Sequence, residues 1–259
     1  TRADVGGIAP IVAVPTTAGT GSEVGRASVI LDEAERVKKI IFHPKMVPAI
    51  VILDPMVTTG LPPMLTAATG MDALSHSLEA WCSPAYHPMA EGIAVEGIRL
   101  VREYLPTAVA SGSDVEARTQ MLVASMMGAT AFQRGLGAMH ALAHPLGALY
   151  NAHHGTLNAV LMPYVLIANR QAIEPRIIHL ARSVDIPNAS FDSFLEWVLA
   201  LRETVSIPQN LEDLGIDDNQ ADLIGKMAEV DPSGGTNPIL FDASQYQSIF
   251  MNALNGNLS

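Results

Sequence analysis

The sequence predicts a protein of two parts: a short α/β segment over residues 1–60 and an all-helical bundle domain over residues 61–259. Two patterns carry this prediction. In the first part, short aliphatic runs alternate with tight loops, which is typical of strands. In the second part, apolar residues recur every three or four positions, as they do on one face of a helix. The composition agrees, because strands are usually rich in aromatic residues and these make up only 5% of the chain.

Three apolar runs in the first part are predicted to be strands of the kind buried in a parallel or mixed sheet, at 8–14, 27–31 and 49–53. Between them lie a loop of small residues at 16–23 and a charged turn at 32–39. Parallel neighbours need long crossover connections, and the pattern contains no long crossover helix. We therefore expect that part of an N-terminal domain is missing from the chain.

The helical part begins at Pro62 and Pro63, because proline is tolerated in the first turn of a helix. The first helix is expected to reach Trp81, since Leu74, Leu78 and Trp81 recur at helical spacing. Further helices are expected at about 88–110, 114–132, 137–150, 156–169, 174–184, 191–204, 218–229 and 243–254.

Charge and cysteine content exclude several classes of function. The formal net charge is −11, and a surface of that sign repels nucleic acid. The sequence has neither a basic amphipathic stretch that would bind a membrane surface nor an apolar run of the ~18 residues that span a bilayer. Its N-terminus lacks the pattern of a signal peptide. The lone Cys82 cannot form an internal disulfide, so we expect a cytoplasmic protein.

A possible metal site stands out among the histidines. Asp72 and His76 are four residues apart in one predicted helix, and His140 and His144 repeat that spacing in another. His154 follows ten residues after His144. Side chains four apart lie on one helix face, and helical domains often build metal sites from such pairs. One carboxylate with several imidazoles suits Fe²⁺, Zn²⁺, Ni²⁺ or Mn²⁺. The two pairs alone are equally consistent with histidines that only pack in the hydrophobic core and bind no metal.

The reaction is open at this point. A hydrolase that activates water would be expected to carry His-Glu-x-x-His, which is absent. Glu79 lies on the same face as Asp72, and its position fits a surface charge, a partner of a metal ligand or a catalytic base. A metallohydrolase and a non-catalytic metal-binding domain therefore remain as alternatives.

Three long motifs narrow the choice among these functions. They are Asp54-x7-Pro62 with the run 67–80 (Ala-Ala-Thr-Gly-Met-Asp-Ala-Leu-Ser-His-Ser-Leu-Glu-Ala), the run 139–148 (Met-His-Ala-Leu-Ala-His-Pro-Leu-Gly-Ala) with His154-Gly155, and the run 15–23 (Pro-Thr-Thr-Ala-Gly-Thr-Gly-Ser-Glu). In this order they closely resemble the iron-containing (group III) alcohol dehydrogenases. The resemblance extends to Asn237-Pro238, near the C-terminus.

The resemblance implies a fold and a metal centre. The α/β segment would be the C-terminal portion of a Rossmann-like nucleotide-binding domain, and the whole would have a dehydroquinate synthase-like architecture. The metal ligands would be Asp72, His76, His140 and His154, holding Fe²⁺ or Zn²⁺ in the cleft between the domains. The family's His-Gly pair selects His154 over His153. His144 would lie near the nicotinamide and the substrate as a catalytic residue that moves a proton.

The resemblance also implies a cofactor, NAD or NADP. Thr16, Thr17, Ser22 and Lys38 are the candidates for binding it, although the loop at 16–23 alone would suggest an ordinary turn after a strand. The family's Gly-Gly-Gly-Ser diphosphate loop is absent from this sequence, so we expect the chain alone to be inactive. The implied reaction is hydride transfer between a small alcohol and its aldehyde or ketone, in a homo-oligomer of two or more subunits. Glycerol dehydrogenase and maleylacetate reductase are alternatives within the family.

Overall fold

Four short strands precede eight α-helices in residues 7–32 and 37–258, which are the residues that the computed structural model describes. The strands are β1 (Val12–Ala13), β2 (Ala27–Asp32), β3 (Val37–Phe42) and β4 (Ile50–Val51). The helices are α1 (Pro63–Cys82), α2 (Pro88–Ala110), α3 (Val115–Ala131), α4 (Ala138–Tyr150), α5 (His154–Ser183), α6 (Phe191–Thr204), α7 (Ala221–Glu229) and α8 (Ala243–Asn255). The predicted fold class, a small α/β segment followed by a helical domain, is confirmed.

The strands form two separate pairs. β1 and β4 are parallel, with Val12 opposite Ile50, and β2 and β3 form an antiparallel hairpin, with Ala27 opposite Phe42. The prediction of a charged turn over 32–39 is wrong at both ends, because β2 extends to Asp32 and β3 begins at Val37. Charged residues are tolerated on an exposed strand, so the lysines there do not end the pairing. Residues 33–36 lie outside the described part.

The strand side chains are less buried than their apolar sequence predicts. Val12, Ile50 and Phe42 are each more than half exposed. Aliphatic runs of this kind usually lie inside a covered sheet. Within the described residues nothing buries them, and the expectation of buried strands is wrong for this part of the chain.

Helix starts largely follow the sequence signals, but one helix is longer than expected. α1 begins at Pro63, as predicted. α5 is a single helix of 30 residues, where the sequence suggested two helices at 156–169 and 174–184. A proline usually ends or kinks a helix, and Pro175 lies inside α5. Ile173 and Ile177, on either side of it, are buried. Because both pack on the same buried face, the helix continues through the proline.

α1 is the central helix of the bundle. It packs against α2, α3 and α5, and its residues from Ala67 to Cys82 are almost all buried. α5 crosses it closely at Gly155, where an added Cβ would lie only 2.3 Å from the carbonyl oxygen of Ala68. This contact brings the first residue of α5, His154, next to Asp72 of α1. No helix in the ranges described is long and apolar enough to cross a membrane.

Candidate metal centre

Three histidine side chains, from three helices, converge on one carboxylate oxygen. Oδ1 of Asp72 lies 3.9 Å from Nε2 of His76, which is one turn further along α1. It lies 4.0 Å from Nε2 of His140 in α4 and 3.7 Å from Nε2 of His154 at the start of α5. His153, by contrast, accepts the backbone N–H of Thr156 and caps α5. The structure therefore places His154 beside Asp72 and uses its neighbour as a helix cap.

Each of the three Nε2 atoms lies close enough to Oδ1 of Asp72 for the two atoms to share one ion, and Asp72, His76 and His140 form the mutually close set among the described residues. Metal bonds to His or Asp are about 2.0–2.2 Å long, so one ion can bridge donor atoms up to about 4.2 Å apart, and the distances from Asp72 fall within that limit. Asp72, His76 and His140 are all buried, with ligand atoms within 4.8 Å of one another. His154 is the more open member, with 33% of its side chain exposed. The centre is thus enclosed by α1 and α4 and accessible on the side of α5.

The charge states of the isolated residues suit a cation. Burial lowers the pKa of His140 to about 4 and also lowers that of His76 and His154. Burial alone would raise the pKa of Asp72, but the three histidines and the amide of Asn158 outweigh it and lower that pKa. At neutral pH the rings are therefore uncharged and the carboxylate is charged. Uncharged imidazole and ionised carboxylate are the forms that bind metals.

Asn158 is a member of this cluster that sequence reasoning missed. Its Nδ2 donates to Oδ1 of Asp72 at 2.8 Å and lies 3.2 Å from Nε2 of both His140 and His154. A partly positive N–H group thus lies among three acceptors, which is the electrostatic environment that a cation needs. Its spacing of four from His154 on α5 was the signal that could have identified it.

Glu79 holds one of the histidines in place. Its Oε2 accepts the backbone N–H of Gly137 at 2.8 Å and lies 2.7 Å from Nδ1 of His140. Its Oε1 accepts the backbone N–H of Met139, also at 2.8 Å. Burial raises the pKa of Glu79 to about 7, and the two backbone N–H groups oppose that rise. A carboxylate bound to the far nitrogen of a metal-binding histidine fixes its tautomer and orientation. Of the three roles considered for Glu79, the contacts fit the partner of a ligand.

His144 lies outside the cluster but next to it. Its ring is stacked on that of His154, with centroids 5.5 Å apart and planes 11° from parallel. Its Nδ1 lies 2.8 Å from Oδ2 of Asp231, a residue 87 positions away. Both residues line a cavity of about 390 Å³ whose other walls are aliphatic, among them Val29 and Ile40 of the hairpin. The structure therefore provides space for a small ligand beside His144.

Among the described residues, no contact brings the candidate cofactor residues together in one cluster. Thr16 and Ser22 are exposed and Thr17 is half-buried. Their loop is seated on the helices at Gly19 and Gly21, where an added Cβ would lie within 2.8 Å of atoms of α1 and α3 respectively. Gly21 has φ +60°, a conformation that glycine adopts without strain. Lys38 is in β3, but its side chain lies outside the described part.

Two family models match the chain. The model of the "Fe-containing alcohol dehydrogenase family, C-terminal" covers residues 66–254, and that of "Iron-containing alcohol dehydrogenase" covers residues 1–55. Among curated relatives, a 4-hydroxybutyrate dehydrogenase of Cupriavidus necator is 41% identical over 92% of this chain and 64% of its own length. An NAD-dependent methanol dehydrogenase of Bacillus methanolicus is 36% identical over 95% of this chain and 67% of its own length. The chain thus spans about two thirds of these relatives.

Solved structures agree with the sequence matches. A 1,3-propanediol oxidoreductase superimposes with a TM-score of 0.91 at 38% identity, covering 95% of this chain and 66% of that one. A sulfoacetaldehyde reductase from Bifidobacterium kashiwanohense, in complex with NAD⁺, gives a TM-score of 0.87 at 30% identity, covering 94% of this chain and 64% of that one. At these identities the likeness extends beyond the fold to the family.

Proposed function

Because the chain belongs to the iron-containing alcohol dehydrogenase family, we propose that the protein interconverts a small alcohol and its aldehyde or ketone by hydride transfer. The observation that carries the proposal is the convergence of three imidazoles on Asp72, each within 4.0 Å of its Oδ1. Such a set of donors has the composition of a site for a divalent ion of intermediate softness.

The proposed ligands are Asp72, His76, His140 and His154, and the proposed metal is Fe²⁺ or Zn²⁺. A bound divalent ion lowers the pKa of a hydroxyl and polarises a carbonyl. The protein's own part is to hold the ligands: Glu79 keeps His140 in one tautomer, and the buried walls of α1 and α4 exclude water from all but one side. The exposed side of His154 is where a substrate would enter.

His144 is the proposed proton carrier. Oxidation of an alcohol releases a hydride to the nicotinamide and a proton from the hydroxyl, and the proton must reach solvent. The ring of His144 lies against His154 and lines the cavity, so it is adjacent both to the proposed centre and to the cavity. A histidine can accept and release a proton near neutral pH. A purely structural role is the alternative for His144.

The proposed cofactor is NAD or NADP, bound in part by Thr16, Thr17, Ser22 and Lys38. One relative is named as NAD-dependent, and one structural neighbour was solved in complex with NAD⁺. The loop at 16–23 contributes hydroxyl groups and backbone N–H groups, which suit ribose and phosphate.

The remaining proposals concern the protein as a whole. Methanol, 1,3-propanediol and 4-hydroxybutyrate, which appear in the names of relatives, share a primary alcohol, and we propose that class as substrate. A domain boundary near residue 60 is supported by the family matches, which end at 55 and resume at 66. We propose a cytoplasmic homo-oligomer of two or more subunits, without nucleic-acid or membrane partners. Neither a metallohydrolase nor a non-catalytic metal-binding domain is favoured by the relatives.

Turnover with defined substrates tests the proposal. The full-length protein, purified without oxygen and supplied with Fe²⁺ or Zn²⁺, is assayed for reduction of NAD or NADP with methanol, ethanol, 1,3-propanediol or 4-hydroxybutyrate. We expect metal-dependent turnover that disappears in Asp72→Ala. Ester or amide hydrolysis without nicotinamide turnover would favour the metallohydrolase. Stoichiometric metal without either activity would leave a metal-binding domain alone.

A further inference from the structure

Asp231 faces His144 across the boundary between two helices. Nδ1 of His144, in α4, lies 2.8 Å from Oδ2 of Asp231, which lies two residues after the end of α7. Both side chains are largely buried, with 22% and 13% exposed. The pair lines the cavity of about 390 Å³, whose other lining side chains are apolar.

The orientation of Asp231 is itself fixed by the backbone. Its Oδ1 accepts the N–H of Ser233 at 2.9 Å, at the start of the 3₁₀ turn Pro232–Thr236. With one oxygen committed to this cap, the other oxygen is directed at His144. Burial would raise the pKa of Asp231, but the hydrogen bond and charge of His144 and the bond from Ser233 lower it. The carboxylate is therefore anionic and can only accept a hydrogen bond.

An acceptor at Nδ1 determines where a neutral imidazole carries its proton. A neutral ring has one N–H and one bare nitrogen. Because the carboxylate can only accept, the proton is held on Nδ1 and the lone pair is left on Nε2. The stacking of His144 on His154 also restricts rotation of the His144 ring out of its plane. Two contacts of different kinds thus fix both the plane of the ring and its tautomer.

We propose that Asp231 is a positioning residue, which keeps the proton of His144 on Nδ1 so that Nε2 remains free to accept a proton at the cavity. The inference rests on the proposed function, since it assigns a partner to the proposed proton carrier. In a comparable arrangement in serine proteases, Asn in place of the aspartate leaves the geometry intact but favours the wrong tautomer.

Asp231→Asn separates this role from the helix-cap role. Asn retains an oxygen for the N–H of Ser233 but presents an NH₂ group to Nδ1, which favours the proton on Nε2. The first readout is the ring ¹⁵N signals of His144 in histidine-labelled, iron-free protein at about pH 8, above the usual histidine pKa of about 6.5. The signals are assigned by their loss in His144→Gln. We expect the proton to be on Nδ1 in the wild type and on Nε2 in Asp231→Asn.

The second readout is kinetic, on the metal-loaded enzyme. We expect kcat to fall about 10²-fold in Asp231→Asn with little change in KM, and Asp231→Glu, which retains a carboxylate, to recover most of the rate. The matched control is Asp242→Asn, since Asp242 also caps a turn of helix, by accepting the N–H of Gln245 at 2.8 Å, but is exposed. It should leave kcat and the His144 signals unchanged.

The outcomes separate this proposal from the proposed function. An unchanged proton position in Asp231→Asn, or an unchanged kcat in an active enzyme, overturns the role of Asp231. If the wild-type protein has no nicotinamide-linked turnover, the proposed function fails, and the ring signals alone still decide whether Asp231 sets the tautomer. If Asp231→Asn does not fold, Asp231→Glu is compared with the wild type. In that variant a proton retained on Nδ1 with most of the wild-type kcat, or a displaced proton with a low kcat, supports the proposal. Wild-type kcat with a displaced proton, or a low kcat with the proton still on Nδ1, overturns it.

Discussion

The carboxylate of Glu79 lies 2.7 Å from Nδ1 of His140, although 61 residues separate them in the chain. The same carboxylate accepts the backbone N–H groups of Gly137 and Met139. It therefore joins α1 to both the start of α4 and the side chain that α4 contributes to the candidate metal centre.

Glu79→Gln is expected to weaken metal binding without preventing folding. Gln retains an acceptor for one backbone N–H but provides an NH₂ group where a carboxylate oxygen faced Nδ1 or the backbone. Loss of such a partner typically lowers metal affinity about 10–100-fold. Competition with a chromophoric chelator measures the affinity for Zn²⁺. The exposed Glu196→Gln serves as control, and equal affinities in the two variants would contradict the assigned role.

Removal of the metal is expected to lower the melting temperature of the wild type but not that of Asp72→Ala. A ligand that binds only the folded state at about 100 times its Kd adds about 2.7 kcal/mol of stability. Calorimetry with and without a chelator measures the difference, and elemental analysis gives the metal content. Asp218→Ala, an exposed aspartate, should behave as the wild type does. Near-stoichiometric metal in Asp72→Ala would disprove the ligand assignment.

His140→Ala and His144→Gln are expected to differ, although the residues are one helical turn apart. The first removes a proposed ligand, so metal content and turnover should be lost together. The second leaves the donor cluster intact, so metal content should stay near normal while kcat falls about 10²-fold. Elemental analysis and steady-state kinetics on the same preparations test both. Retention of metal and rate by both variants would show that the site is assigned wrongly.

Gly155→Ala is expected to destabilise the protein and weaken its metal site. The new Cβ would lie 2.3 Å from the carbonyl oxygen of Ala68 and 3.2 Å from Cβ of Asp72, so α5 must move away from α1. Overpacking of this kind costs about 1–3 kcal/mol. Chemical denaturation measures the free energy of unfolding, and chelator competition measures the affinity for Zn²⁺.

The control for this prediction is Gly92→Ala in α2. Gly92 is also helical, but nothing lies within 4 Å of an added Cβ. Alanine there should stabilise the helix by about 0.5–1 kcal/mol. The two Gly→Ala changes are thus expected to change the free energy of unfolding in opposite directions. A Gly155→Ala variant more stable than the wild type would contradict the close crossing of α5 and α1.

The sequence predicted the helical domain well because its signals are local. Helical spacing and Pro62-Pro63 determine α1, and spacings of four residues pair Asp72 with His76. The partners of the site were harder to predict. Asp231 meets His144 only through the packing of α7 on α4, and no local pattern joins residues 87 positions apart. The helix break expected near Pro175 was also wrong because of tertiary packing. The residues on both sides of this proline are buried, and their packing overrides its local preference.

α1 carries Asp72, His76 and Glu79 within eight residues of a single buried helix. These three side chains therefore move as one rigid body, and the helical backbone sets the spacing between them. Any adjustment of the centre to an ion of different radius must come from a shift of α4 or α5 relative to α1. The backbone N–H groups that donate to Glu79 restrain α4, whereas the start of α5 is held by the contact at Gly155. The adaptability of the centre is thus determined by helix packing as much as by the choice of ligands.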